Sequence, residues 1–234
     1  MASVHQTEDF LVEIGTEELP PKALKKLSQA FADGIQAGLV EAELSMGDVV
    51  IYAAPRRLAV MIRDLQTQQA DKTVQRKGPA KKSGFDADGN PTKALQGFAR
   101  GCGVEVSALI EIETDKGTWM AFDLKQTGQP VTALLQAIVA NVLAKLPIPK
   151  RMRWGASDGE FVRPVHWVLM LLGAQIVPAT ILGHRTSNTT CGHRFHAPAK
   201  ITIAQSGGYL VVLRLQVFVE ADFESRMESI RQQV

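Results

Sequence analysis

Phe10-Leu-Val-Glu-Ile-Gly-Thr-Glu-Glu-Leu-Pro-Pro-Lys-Ala-Leu24 joins two kinds of periodicity, and its reading sets the fold class. Phe10 to Ile14 alternates in the manner of a half-buried strand. Thr16 then leads through Glu17, Glu18 and the pair Pro20-Pro21 into a helix, since a first helical turn tolerates proline and favours acids. Leu24, Leu27, Phe31, Ile35 and Leu39 continue at helical spacing, so the helix is expected to reach about Leu44. Val49–Ala54 and Leu58–Ile62 read as strands on either side of Pro55-Arg56-Arg57. Strand, helix and two strands make a small α/β unit.

Outward from that unit the chain turns polar between Asp64 and Asn90, with Gly78-Pro79, Gly84 and Gly89-Asn90-Pro91 as turn signals. This stretch reads as a strand or long loop followed by a hairpin-like excursion. Thr92–Arg100 is expected to be a short helix stopped by Gly101 and Gly103, and Thr118–Leu124 a strand. Val131–Leu146 is an amphipathic helix closed by Pro147 and Pro149. Phe161–Leu172 and Ile176–Leu182 suggest a hairpin around Gly173-Ala174. Gly207 to Val219 reads as a strand on local pattern. Phe223, Met227, Ile230 and Val234 form a one-sided helical stripe that calls for a packing partner.

Composition excludes several classes. Of 234 residues, 45% are apolar and 21% charged, as in ordinary globular proteins. Met1–Phe10 is polar and carries Glu8 and Asp9, unlike a signal peptide. The longest apolar run, Val165–Ala174, is interrupted by His166 and falls short of the roughly 20 residues that span a bilayer. A cytoplasmic protein without membrane contact is expected, and two cysteines, Cys102 and Cys191, fit a reducing compartment. The net charge of +2 is unevenly spread. From Leu124 to Val219 ten Lys and Arg face only Asp158 and Glu160, which gives +8 there and −6 elsewhere. Such asymmetry suits a basic face that meets a polyanion, or else charges scattered over several surfaces.

Lys150-Arg-Met-Arg-Trp154 concentrates this charge: three cations and an indole follow a proline-set turn. They could clamp a phosphate backbone and stack on a base, with Arg163 nearby, or contact another subunit. Alternatively Met152 and Trp154 point inward and the cations are merely solvated. Arg56 and Arg57, adjacent on an extended segment, point to opposite faces, and one could pair with Glu17 or Glu18. Gly192-His-Arg-Phe195 reads as a turn with a basic, aromatic edge. Cys191, His193 and His196 lack the second tight pair of ligands that zinc sites bring, so no metal is assigned. His166, in an apolar strand, reads as a hydrogen-bonded core residue. Arg76-Lys77 with Lys81-Lys82 reads as a solvated basic loop. No phosphate-cradling Gly-x-x-x-x-Gly-Lys-Ser/Thr string occurs, and no catalytic residue is assigned.

Eight stretches, in order, resemble one family. They are Phe10–Leu24 as quoted, Ala53-Ala-Pro-Arg-Arg-Leu-Ala59, Lys77-Gly-Pro-Ala80, Phe98-Ala-Arg-Gly-Cys-Gly-Val104 and Thr114-Asp-Lys-Gly-Thr-Trp119. Leu146-Pro-Ile-Pro-Lys-Arg-Met-Arg-Trp-Gly-Ala-Ser-Asp158, Phe161-Val-Arg-Pro-Val-His166 and Gly192-His-Arg-Phe195 complete the set. The chain resembles the N-terminal portion of the β subunit of the bacterial heterotetrameric glycyl-tRNA synthetase. The resemblance weakens after Ile203, and it favours a helix over Tyr209–Gln216 where local pattern suggests a strand.

The resemblance implies an aminoacyl-tRNA synthetase subunit acting in ATP-dependent attachment of glycine to tRNA(Gly). Its roles would be tRNA handling and subunit assembly, with an assembly scaffold that touches no RNA as the rival. The adenylate site, with ATP and Mg, is expected on the α subunit. This portion alone is expected to bind no cofactor and to be inactive in glycine-dependent pyrophosphate exchange. Implied partners are the α subunit, tRNA(Gly) and a second β subunit in an α2β2 assembly. The candidate tRNA or subunit contacts are Lys150, Arg151, Arg153, Trp154, Arg163, Arg56, Arg57, His193 and Arg194. The expected fold is α+β. Residues 1–65 with 158–219 would form a discontinuous lobe, 66–157 an inserted lobe, and 220–234 the start of a helix leading to absent domains.

Overall fold

The structure, a computed structural model, describes residues 6–86, 88–115, 117–155 and 158–233. The chain opens with β1 (Thr7–Thr16), α1 (Pro21–Glu41), β2 (Val49–Ala54) and β3 (Arg57–Gln66). Next come β4 (Lys72–Ala80), the single turn α2 (Lys81–Gly84), α3 (Lys93–Cys102), β5 (Ile110–Thr114) and β6 (Gly117–Gln126). Helix α4 (Val131–Lys145) precedes the two-residue strands β7 (Met152–Arg153) and β8 (Glu160–Phe161) and the long β9 (Val165–Leu172). Five short strands follow: β10 (Gln175–Ile176), β11 (Thr180–Ile181), β12 (His184–Ser187), β13 (Thr189–Cys191) and β14 (Lys200–Thr202). Helices α5 (Tyr209–Leu215) and α6 (Phe223–Gln233) complete the order. Helices and sheets are mixed, as expected of an α+β fold.

The chain divides into two compact units: residues 1–69 with 129–234, and residues 70–128. The insertion is therefore shorter than the expected 66–157, and α4 belongs to the discontinuous unit. The reason is packing. Leu135, Val139 and Val142 of α4 share one core with Leu27, Phe31, Ile35 and Leu39 of α1, and Gly34 and Gly38 of α1 lie directly against Val142 and Ile138.

In the larger unit the main sheet runs β11-β12-β9-β1-β3-β2, with β10 paired to β9. All neighbours are antiparallel except β12, which runs parallel to β9. The central strand β1 is covered on both faces, not half-buried as its alternation suggested. Phe10, Val12 and Ile14 face the core shared with α1 and α4. Leu11 faces a second core with Met61, Leu169, Leu171 and the α5 residues Tyr209 and Leu213. That second core makes 209–215 helical: the i, i+4 pair Tyr209 and Leu213 is buried only in a helix against this face.

Helix α1 begins at Pro21, with Pro20 extended before it (φ −60°, ψ 123°), and its first turn holds no acid. Glu17 and Glu18 thus lie ahead of the helix. The expected hairpin after Phe161 is confined to β9 and β10 around Gly173, after which the chain departs toward β11. In the smaller unit an antiparallel sheet of order β4-β6-β5 packs Met120 against Leu95 and Ala99 of α3. That helix runs through Gly101 and ends at Gly103 (φ 74°), where a left-handed residue caps it. Helix α6 buries none of its described side chains: Phe223 and Ile230 are exposed, Met227 is half-buried, and Val234 lies outside the described residues.

Candidate functional site

The second face of the sheet carries a buried polar cluster. Glu13, on β1, has no exposed surface, and its two carboxylate oxygens accept four side-chain hydrogen bonds. Oε2 accepts from Arg57 Nη1 at 3.2 Å and from the Tyr209 hydroxyl. Oε1 accepts from the Thr190 hydroxyl at 2.6 Å and from the Trp167 indole. Arg57 is itself 2% exposed and also donates to the Cys191 carbonyl. A buried carboxylate is tolerated only when its lone pairs are filled in this way. Burial first, and then the neighbouring Glu13 charge, push the Tyr209 phenol well above its ordinary value.

Arg57 was expected as a tRNA or subunit contact. Its burial and its ion pair with Glu13 exclude direct contact, and its partner is neither Glu17 nor Glu18. It instead anchors β13, just before the turn that carries His193 and Arg194. Gly15 makes the cluster possible: a Cβ there would sit 1.9 Å from a Trp167 ring atom.

Beyond the C-terminal end of β1, the freed Glu17 and Glu18 collect basic side chains from distant parts of the chain. Glu17 pairs with Arg194 at 2.6 Å, His166 Nε2 at 2.9 Å and Arg56 at 3.9 Å. Arg163 Nε donates to the Glu18 carbonyl at 3.2 Å. Burial works against the Glu17 charge, but hydrogen bonds from His166 and Arg194 outweigh it and hold the carboxyl below its ordinary value. His166, expected in the core, is exposed. It stands at the start of β9, where the alternation that buries Val165 and Trp167 turns it outward.

The Lys150–Trp154 segment divides by role. Lys150 is exposed, and Arg153 is exposed beside Glu160 at 3.1 Å. The Arg151 guanidinium is turned back onto the C-terminal carbonyls of α4, Leu143 at 3.3 Å and Ala144 at 2.6 Å, and onto Glu160 O at 3.4 Å. It offsets the negative end of that helix. Trp154 is half-buried against the main core, whereas Met152 is exposed and touches Arg163 through its sulfur. The basic segment of the smaller unit is not a loop. Arg76 and Lys77 lie on β4, with Lys77 over the Trp119 ring at 4.0 Å, and Lys81 pairs with Glu111 at 2.7 Å.

Burial raises the Cys191 thiol, and the His193 ring faces that of His196 at 4.5 Å between centroids. Among the described residues no three His, Cys, Asp or Glu side chains are grouped to hold a metal ion. Among the described residues no helix is long and apolar enough to cross a membrane.

The family profile described as glycyl-tRNA synthetase beta subunit matches residues 10–234. The chain belongs to the glycyl-tRNA synthetase β-subunit family. Among curated members, the glycine–tRNA ligase beta subunit of Hahella chejuensis is 56% identical over 97% of this chain, which corresponds to 33% of that protein. Those of Marinobacter nauticus and Chromohalobacter salexigens are 52% and 51% identical, each over 96% of this chain and 32% of the relative. The chain thus spans about a third of the length of these synthetase subunits.

The expected pairing of one of the two arginines with Glu17 or Glu18 is met by Arg56 and Glu17, whereas the addition of His166 and Arg194 to the same carboxylate was not read from the sequence. The only sequence signal for that addition is a pair of acids displaced from a helix start by two prolines.

Proposed function

We propose that this chain forms part of the β subunit of a cytoplasmic glycyl-tRNA synthetase and supports ATP-dependent attachment of glycine to tRNA(Gly) by handling the tRNA. Adenylate formation, with its ATP and Mg, is assigned to the α subunit, in an α2β2 assembly with a second β subunit. One observation carries the tRNA reading: Arg56, Arg163, His166 and Arg194, from three separate segments, are gathered at the pair Glu17-Glu18. Lys150 and Arg153 add exposed charge on the segment that reaches Arg163 through Met152. Basic side chains brought together at one strand end suit a phosphate backbone better than scattered charge does.

A scaffold that binds the α subunit without touching RNA is the second reading. It is favoured by exposed apolar groups beside the cations, notably Met152 and Phe195. The test replaces Lys150, Arg153 and Arg163 by alanine in the complete enzyme and measures tRNA affinity at several salt concentrations. Each lost phosphate contact should reduce the log–log salt slope by about 0.7–0.9. An unchanged slope in an intact assembly would rule out these cations as RNA contacts, and dissociation of the subunits would favour the scaffold.

A further inference from the structure

A cavity of about 320 Å³ opens between the β2–β3 turn, the Gly192–Phe195 turn and the segment joining α5 to α6. Arg56, Arg194 and Arg226 line it, together with Phe195 and Phe218. Its volume lies at the small end of ligand pockets, roughly 300–1,000 Å³, and suits a single monomer unit better than a duplex.

Three features are unexplained by folding. Phe195 is 83% exposed and Phe218 is 63% exposed, although water-facing rings of this size contribute little to stability. Phe218 also has φ 54°, a left-handed conformation that is strained for a bulky side chain. The backbone is pinned on both sides of it: His193 N donates to Val217 O and Val219 N to Leu213 O, each at 3.0 Å. Third, Arg56 Nε is buried with no acceptor. The guanidinium groups are pre-positioned, Arg194 by Glu17 and Arg226 by the carbonyls of Ala53 (2.9 Å) and Glu220 (2.7 Å). Of the two acids at the cavity, Glu220 is already clasped by Arg214 at 2.6 Å, which leaves Glu18 as the other. Cations exceed acids, and flat apolar faces stand beside them.

We propose that this cavity binds one nucleotide unit, its base against the exposed rings of Phe195 and Phe218 and its phosphate on Arg56 and Arg194. Aromatic faces stack on any base, and the guanidinium groups of Arg56 and Arg194, which line the cavity, are of the kind that holds phosphate oxygens. The nucleotide is either free or an unpaired position of an RNA strand. The proposal deepens the tRNA-handling reading and rests on it for the second source.

The test uses the complete enzyme with Phe195→Ala or Phe218→Gly. Both rings are exposed, and glycine relieves the positive φ at 218, so thermal midpoints should be unchanged or, for F218G, raised. The probes are a fluorescent single-stranded RNA hexamer of mixed sequence, a blunt RNA duplex, and AMP as competitor. Each substitution should weaken hexamer binding by roughly five- to hundredfold, the range that stacking of one base supports. Duplex affinity and the salt slope should not change, because no charge is removed. Displacement of the hexamer by AMP, in the parent but not the variants, would identify a free nucleotide as sufficient. Ring-dependent hexamer binding without AMP competition would identify the RNA strand. Hexamer affinity unchanged in both variants overturns the proposal, even where the Lys150, Arg153 and Arg163 substitutions flatten the slope and tRNA handling stands. So does subunit dissociation with hexamer affinity retained, which would make the rings a protein contact.

Discussion

Removing the Arg57 guanidinium leaves the Glu13 carboxylate sealed from water with three neutral donors, Trp167, Thr190 and Tyr209, and no counter-charge. The loss of one partner of a buried ion pair is far more damaging than the pair is stabilising, because the remaining charge has no solvent. Arg57→Ala should therefore lower stability by roughly 3–5 kcal/mol, read as a shift in urea midpoint at constant m-value. Arg56→Ala, one residue away but partly exposed and 3.9 Å from Glu17, should cost well under 1 kcal/mol or so. Equal effects from the two arginines would contradict the assignment of Arg57 to the interior. Nothing in Pro55-Arg56-Arg57 told which arginine would be buried. Opposite faces followed from strand geometry, but which face lay inside depended on α5, more than 150 residues later in the sequence.

Between α1 and α4 the contact is close enough to be tested by a single methyl group. A Cβ at Gly34 would lie 2.6 Å from Val142 Cγ1, and one at Gly38 would lie 2.7 Å from Ile138 Cγ2. Helix propensity alone would favour Gly34→Ala by about 1 kcal/mol. Overpacking should win, with a net loss of roughly 1–3 kcal/mol. Val142→Ala removes the opposing methyl groups, so the double variant should be more stable than the sum of the single losses predicts, by at least about 0.5 kcal/mol in a double-mutant cycle. Strict additivity would show that the helices do not meet there. This element scale is also where the sequence was most readable. Both helices, with β2, β3 and β6, follow from their periodicities to within a few residues. The strands β12 to β14 did not, because three or four mostly polar residues carry no period and pair only where β9, β11 or one another supplies a ladder. Glu13 was unreadable for a related reason. Alternation marks one wet face, and β1 has none.

At the scale of the whole molecule, the chain leaves and re-enters the larger unit at adjacent points. Gln69 N donates to the Gln129 carbonyl at 3.0 Å, Val131 N to the Thr67 carbonyl at 2.8 Å, and Gln68 bridges Pro130. The smaller unit has a separate core around Leu95, Ala99, Leu109 and Met120. Excising residues 70–128 and joining 69 to 129 through a short glycine-serine linker should leave the larger unit folded. Its near-ultraviolet circular dichroism from Trp167 and its cooperative thermal transition should survive, since the ends need no long loop to meet. Loss of the cooperative transition would show that the larger unit depends on the insertion.

The central position of β1 has a consequence for synthesis on the ribosome. Its first neighbour, β3, emerges within the same N-terminal stretch, but the other, β9, pairs Phe10 with Leu172. At about 5–20 residues per second, roughly a hundred further residues delay that partner by about 5–20 s. Throughout that interval one side of β1, with Phe10 to Ile14 and their unpaired peptide groups, is available to any passing strand. The inserted unit is translated within this window and prolongs it. In a crowded translating cell, the nascent chain therefore carries its greatest risk of mispairing at the strand that later becomes the most protected.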